Sequence, residues 1–300
     1  MFISLFLTAA LVLLIVCLCA SVLYWYESLN NPEERIPAPK PGIFSCIFHY
    51  FGTLFSFILC AALIAAGPFL RRRPTPSVAA LPQVILIHGL YNNAGCWLYL
   101  ARVLSKAGYT VSTYTYSSFR APLDATLRDL NEHIATVERL AGAPILIGHS
   151  LGGMLARKWL AEYDGSSRIR GVITLGTPHG GSKMAVFALG ALGQSLRPSS
   201  VQLWRDTSSG IAFAREAGQK SPARPRKSSP SSPDVKAEHC LLYCSSLISP
   251  ADGVVLPASL LLPPEGWNLR LTPARHHYAM LFCPATAAIL LEEIRAAFQD

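Results

Sequence analysis

Ile145-Leu-Ile-Gly-His-Ser-Leu-Gly-Gly-Met-Leu-Ala-Arg157 is the stretch on which the reading of the whole chain turns. Ile145–Ile147 is a short apolar run of the kind that forms a buried strand, and Met154–Tyr163 carries a helical pattern. Between them lies Gly148-His-Ser-Leu-Gly152, a G-x-S-x-G turn. A strand-to-helix turn this tight strains the serine backbone and leaves no room for side chains two residues away, which Gly148 and Gly152 provide. Ser150 then stands above a sheet at a helix N-terminus, where developing negative charge is favoured. Glycine and serine are common enough that the pattern arises by chance in roughly one chain in ten of this length. The strand before and the helix after are therefore what give it weight.

A serine hydroxyl needs a base to take its proton and amides placed for an oxyanion. Val84–Ile87 reads as the first strand of the domain, and His88-Gly89-Leu90 follows it, where a partner loop for the elbow belongs. The two oxyanion amides are assigned to Leu90 and to Leu151. His88 precedes the serine, whereas an elbow of this kind runs Ser, then Asp or Glu, then His. It is read, with Gly89, as support for the loop. His149 sits inside the elbow and is read as unable to turn back onto Ser150. For the acid, Asp252 lies just beyond a strand expected over His239–Ser246, whereas Asp206, Asp234 and Glu265 fall in insert or loop sequence. For the base, Leu269–Leu271 supplies a strand and His276-His277 the loop after it, so both histidines are open on spacing. His179 comes too early and is read as shaping a loop.

Working outward, Tyr109–Tyr116 has strand composition and Val172–Leu175 is a buried-type strand. Cys96–Ala107, the apolar series from Leu123 to Leu140, and Thr286–Phe298 read as helices. Strand–helix alternation predicts an α/β fold with a mostly parallel sheet and helices on both faces. The part from 184 to 235 reads as a cap insert. Its apolar side chains between Met184 and Trp204 fit either a mobile cap or core, and the Ser/Pro/Lys/Arg-rich 218–234 reads as disordered.

Ahead of this domain the chain has a different character. Hydrophobic residues are 51% and charged residues 15% of the chain, where a soluble domain carries about 25% charged. Residues 1–26 hold no charge, and Ile3–Val22 is long enough to cross a bilayer. Ser21-Val-Leu-Tyr-Trp-Tyr26 is an aromatic belt, not a small-residue cleavage site, and no basic residue precedes the run, so a retained anchor is preferred to a cleaved leader. A second run over 43–70 ends at Arg71-Arg-Arg73, with an exposed turn expected over 27–42 and a basic, proline-bearing linker over 71–80. The expectation is a hairpin of two transmembrane helices, with Arg71–Arg73 and the domain from 81 onward on the cytoplasmic side of an inner membrane.

The net charge of +8 does not point to nucleic acid. Arg71–Arg73 with Lys220, Arg224, Arg226 and Lys227 account for seven charges, leaving +1 for all the rest, whereas nucleic-acid binding needs a basic face on a folded domain. The eight cysteines show neither a disulfide framework nor zinc spacing.

The chain resembles the α/β-hydrolase lipases and esterases, especially the bacterial triacylglycerol-lipase-like group. The likeness rests on His88-Gly-Leu90, Gly148-His-Ser-Leu-Gly-Gly153, Thr174-Leu-Gly-Thr-Pro-His-Gly-Gly-Ser182, Asp252-Gly-Val-Val255 and His277-Tyr-Ala-Met-Leu281. It favours His277 over His276 as the base and implies an α/β-hydrolase fold. It also implies a Ser150–Asp252–His277 triad acting on carboxylic esters, with no cofactor and no metal. The two-helix anchor, the cysteines read as reduced and the basic insert depart from secreted lipases. The expected partners are a lipid or acyl-ester substrate and the bilayer; oligomeric state is left open. An acyltransferase would use the same residues and is told apart by its products. A non-catalytic scaffold with this fold would fail to react with a fluorophosphonate.

Overall fold

The computed structural model describes residues 2–30, 36, 42–76, 81, 83–163, 165–200, 213–214 and 242–299. Several expectations lie outside them: residues 31–35 and 37–41 of the turn, 77–80 of the linker, Val201, Leu203 and Trp204 of the cap, the 218–234 stretch, and the strand start at 239–241.

The part from residue 83 onward is built on a parallel sheet. β1 (Gln83–Ile87), β2 (Thr110–Tyr114), β3 (Ile145–His149), β4 (Gly171–Leu175), the two-residue β5 (Phe213–Ala214), β6 (Leu242–Ile248) and β7 (Asn268–Leu271) follow in chain order. Their order in space is β2-β1-β3-β4-β6, with β5 and β7 both pairing β6. β5 pairs with Leu242 and Tyr243, and β7 with Ser245–Ile248. β1, β3, β4 and β6 are buried along their whole lengths, because helices cover both faces and leave no wet side.

Alternation along each strand divides the core. Ile85, Ile87, Leu146 and Val172 face one way, onto α4 (Leu123–Ala141) and α5 (Leu151–Glu162). Val84, Leu86, Ile145, Ile147 and Ile173 face the other, onto α3 (Leu98–Lys106) and α7 (Pro284–Gln299). Two boundaries differ from the periodicity. A 3-10 turn over Ala94–Trp97 precedes α3, and α5 opens at Leu151, directly after the serine, because the glycines that blur the apolar pattern still accept helical backbone. The chain turns back between β1 and β3: β1 leads outward to β2, and α4 returns to place β3 on the other side of β1. In open α/β sheets, the crevice above such a reversal is where ligands bind.

α1 (Phe2–Asn30) and α2 (Ile43–Leu70) are both long and apolar enough to cross a membrane. α1 continues past Tyr26, the end expected from the sequence. The hairpin does not stand clear of the sheet. Thr113 N–H of β2 donates to Arg72 O at 2.9 Å and Arg72 N–H donates to Thr113 Oγ1 at 2.9 Å, and Asn93 Nδ2, after β1, donates to Ile64 O at 2.8 Å. A side chain on Gly95 would collide with the Leu63 carbonyl at 2.0 Å. The Phe57 ring meets Tyr278 at 6.1 Å between centroids. At the turn end, Glu27 pairs with Lys183 at 3.0 Å and Ile36 is buried with Val255 and Leu261. α2 therefore lies across the carboxyl ends of the strands. From Thr53 to Gly67 it measures about 21 Å at 1.5 Å per residue, matching the roughly 19 Å from β2 to β6 at about 4.8 Å per strand. One stripe of α2 (Thr53, Ser56, Cys60, Leu63) is buried against protein, and the opposite side (Phe44, Phe51, Phe55, Ile58) is exposed.

Candidate active site

Ser150 occupies the single residue between β3 and α5, with φ 53° and ψ −122°. A non-glycine residue on this side of the map costs about 1–3 kcal/mol, so surrounding contacts must hold it. Its N–H donates to Leu175 O at 2.9 Å, and its carbonyl accepts from the Gly153 amide at 3.0 Å and Thr177 Oγ1 at 3.1 Å. Space around the turn is closed. A Cβ on Gly148 would meet the Gly153 nitrogen at 2.4 Å, and one on Gly152 would meet Ile87 O at 2.1 Å. The serine is 7% exposed and lines a cavity of about 250 Å³.

Asp252 follows β6 and His277 follows β7, and they meet over β4. His277 Nδ1 and Asp252 Oδ2 are 2.6 Å apart, both side chains fully buried. Asp252 Oδ1 accepts from the amides of Val254 and Val255 at 2.9 and 3.0 Å. Burial alone would raise the Asp252 pKa, but the facing His277 and these hydrogen bonds outweigh it and hold the carboxyl below its ordinary value. With Nδ1 committed to the carboxylate, Nε2 is the ring atom left for proton transfer. It has no hydrogen-bond partner among the described residues. Gly176, at the end of β4, is what lets the pair settle there. It adopts φ +55°, and a Cβ would come within 3.2 Å of both Asp252 Oδ2 and His277 Nδ1. His149 Nε2 lies 3.2 Å from His277 O and can donate to it, tying the loop after β7 to the turn that carries Ser150. His276 is buried beside the cavity it lines with Ser150.

The other histidines have different surroundings. Tyr116 N–H donates to His88 Nε2 at 3.2 Å, so Nδ1, 2.8 Å from Gly89 O, carries the proton. Burial of this neutral ring lowers its pKa to about 4. His149 is lowered well below the ordinary value by burial and then by His277. His179 sits away from the pair, between Arg157 at 3.0 Å and the hydroxyls of Thr174 and Ser246.

Leu90 lines the same cavity as Ser150, and a Cβ on the preceding Gly89 would come within 2.9 Å of Ser150 Cβ. Leu151 opens α5, and amides of a first helical turn have no intrahelical acceptor. The segment from Met184 splits in two. Ala185, Leu192 and Leu196 join the core, while Val186, Phe187 and Leu189 are exposed. Tyr91 Oη, which donates to Leu189 O at 2.6 Å, fastens it to the loop after β1.

Three positions carry structure that sequence reading left without a role: Gly176, Thr177 and Ser182. All lie in the quoted Thr174–Ser182 motif. Ser182 Oγ donates to Val254 O at 2.7 Å and accepts from Leu256 N at 3.3 Å, clasping the loop that bears Asp252. The cavity wall contributed by α1 and α2 was also missed. Small or polar residues on one face of α2, at spacings of three, four and seven (Thr53, Ser56, Cys60, Gly67), were the available signal, since such a stripe lets a helix pack closely.

Residues 84–297 match the model of the alpha/beta hydrolase family. The chain belongs to that family. No curated protein matches the sequence. Among solved structures, the mature Bacillus licheniformis lipase BlEst2 superposes with a TM-score of 0.55 at 16% identity, covering 74% of this chain and 95% of that one. Its propeptide form gives 0.56 at 17%, covering 74% and 52%. The pyrethroid hydrolase of Sphingobium faniae JZ-2 gives 0.44 at 17%, covering 74% and 100%. At these identities the two BlEst2 likenesses show the fold alone.

Proposed function

We propose that this alpha/beta hydrolase is a membrane-anchored serine hydrolase of carboxylic esters, with acyl lipids as its substrates. The observation that carries the proposal is the buried 2.6 Å pair of His277 Nδ1 and Asp252 Oδ2 over strand ends that also present a strained, cavity-lining Ser150. Ser150 Oγ attacks the ester carbonyl carbon while His277 Nε2 takes the hydroxyl proton. Asp252 fixes the imidazole tautomer and stabilises its charged form. The amides of Leu90 and Leu151 receive the oxyanion. As the intermediate collapses, the carbon–oxygen bond to the alcohol breaks and the alcohol leaves with the proton from Nε2. Water, deprotonated by the same nitrogen, then releases the acid and restores Ser150. The cavity is lined mainly by apolar side chains, which suits an acyl chain. The apolar hairpin supplies the anchor, and Arg71–Arg73 favour a cytoplasmic domain.

The test uses the full chain in phosphatidylcholine vesicles. A fluorophosphonate should label wild type at Ser150. Ser150→Ala should lose labelling and several orders of magnitude in p-nitrophenyl butyrate hydrolysis. Hydrolysis above about a tenth of wild type would place the nucleophile elsewhere.

A further inference from the structure

Resting on that reading of Ser150, we propose that the N-terminal hairpin is the roof of the active site, lying in the plane of one membrane leaflet. Its inner face is the wall against which a single acyl chain is held. A hairpin that crossed the bilayer would carry its turn to the far side of about 30 Å of hydrocarbon. Here the turn end is on the catalytic domain: Glu27 reaches Lys183 at 3.0 Å, and Ile36 is packed among Val255 and Leu261. The other end is fastened by Arg72 to β2. Held at both ends, α2 runs along the strand ends and cannot stand perpendicular to a membrane beneath the domain.

The outer face then has one fitting occupant. Phe44, Phe51 and Phe55 are 75%, 61% and 65% exposed, with Leu7 and Leu11 of α1 also bare. No charge interrupts 1–26 or 43–70. A long helix with one face on protein and the other uniformly apolar suits immersion in a leaflet, the side-lying mode of membrane association. Tyr91 stacks on Phe119 and bonds Leu189, joining two more exposed apolar side chains into a rim on the catalytic domain.

The inner face closes the cavity. Val16 and Ala20 of α1 and Thr53 and Phe57 of α2 line it together with Ser150 and Tyr278. About 250 Å³ is just below the usual range of ligand sites, about 300–1,000 Å³, so one chain fits and three do not. Substrate comes sideways out of the leaflet, and bulk at Ala20 and Thr53 sets how long a chain is accepted.

Two measurements on the full chain in phosphatidylcholine vesicles test this. Glu27→Cys with Lys183→Cys should be joined by a short bis-maleimide within one chain, with each single variant as control. A crossing hairpin separates the two positions by the bilayer and gives no product. Secondly, Ala20→Phe and Thr53→Phe should each lower the ratio of kcat/KM for p-nitrophenyl laurate to that for p-nitrophenyl acetate at least tenfold. Ile58→Phe, on the outer face, should leave the ratio alone. No cross-link, or an unmoved ratio in both filled variants, overturns the roof. If the double-cysteine variant cross-links but wild type hydrolyses neither ester, the ester-hydrolase reading fails and the roof stands. If wild type hydrolyses both and the double-cysteine variant gives no cross-link, the reverse holds.

Discussion

The turn after β3 and the apolar roof above it face one cavity, yet they are specified in different ways. At the turn, tolerances are tenths of an ångström. Gly148 and Gly152 have backbone atoms within 2.5 Å of where a Cβ would go, Gly176 has Asp252 Oδ2 and His277 Nδ1 within 3.2 Å of it, and Asp252 and His277 meet at 2.6 Å in full burial. The roof depends on surface and volume. Its stripe of Thr53, Ser56, Cys60 and Leu63 is buried but tolerates exchange among residues of similar size. Chemistry needs atoms held in place while charge moves, whereas an acyl chain needs only an apolar space of adequate volume. On the proposed reading, the difference teaches that catalysis and substrate selection could change independently in this molecule.

The sharpest way to break the comparison is at the base. His277→Ala should reduce ester hydrolysis by several orders of magnitude, and His276→Ala should cost less than tenfold. A steady-state assay in which His276→Ala is the dead variant reverses the assignment, which rests on the 2.6 Å contact of His277 Nδ1 with Asp252 Oδ2.

Next in size is Gly176→Ala. Its Cβ would press within 3.2 Å of Asp252 Oδ2 and His277 Nδ1 at φ +55°, and the left-handed backbone adds about 1–2 kcal/mol of its own. A fall in kcat of about a hundredfold, roughly 2.7 kcal/mol, is expected with KM little changed. An unaltered kcat would mean the pair is not as tightly framed as the turn.

The smallest effect sharpens the comparison through pH. His88 is buried neutral, its pKa lowered by burial to about 4 from an ordinary value near 6.5. As pH falls below about 6.5, the unfolded chain gains this proton and the folded chain does not. Stability is therefore full above that value and declines until about pH 4, by roughly 2 kcal/mol at pH 5. His149 and His179, also lowered by burial, act with the same sign. Denaturant titrations at pH 7 and 5 should show a smaller difference for His88→Gln than for wild type. An identical difference would remove His88 from the account.

Much of this was legible in the chain. Ile145–Ile147, the flanking glycines of Ser150 and the strand–helix alternation announce a parallel sheet with a nucleophile turn, because backbone geometry at a sharp turn demands particular residue types locally. Asp252 and the His276-His277 pair were found as candidates by their order after strands, and spacing left both histidines open. The family resemblance favoured His277, and the tertiary structure adds a contact: β6 and β7 pair in register, their following loops converge over Gly176, and His277 Nδ1 lies 2.6 Å from Asp252 Oδ2. The hairpin is the opposite case. Its sequence fixes that it is apolar and long, which serves equally for crossing a membrane or lying along a protein. Whether α2 stands or lies depends on Asn93, Thr113, Val255 and Tyr278, partners scattered over nearly two hundred residues. No local pattern encodes a contact whose two sides are brought together only when the sheet has formed.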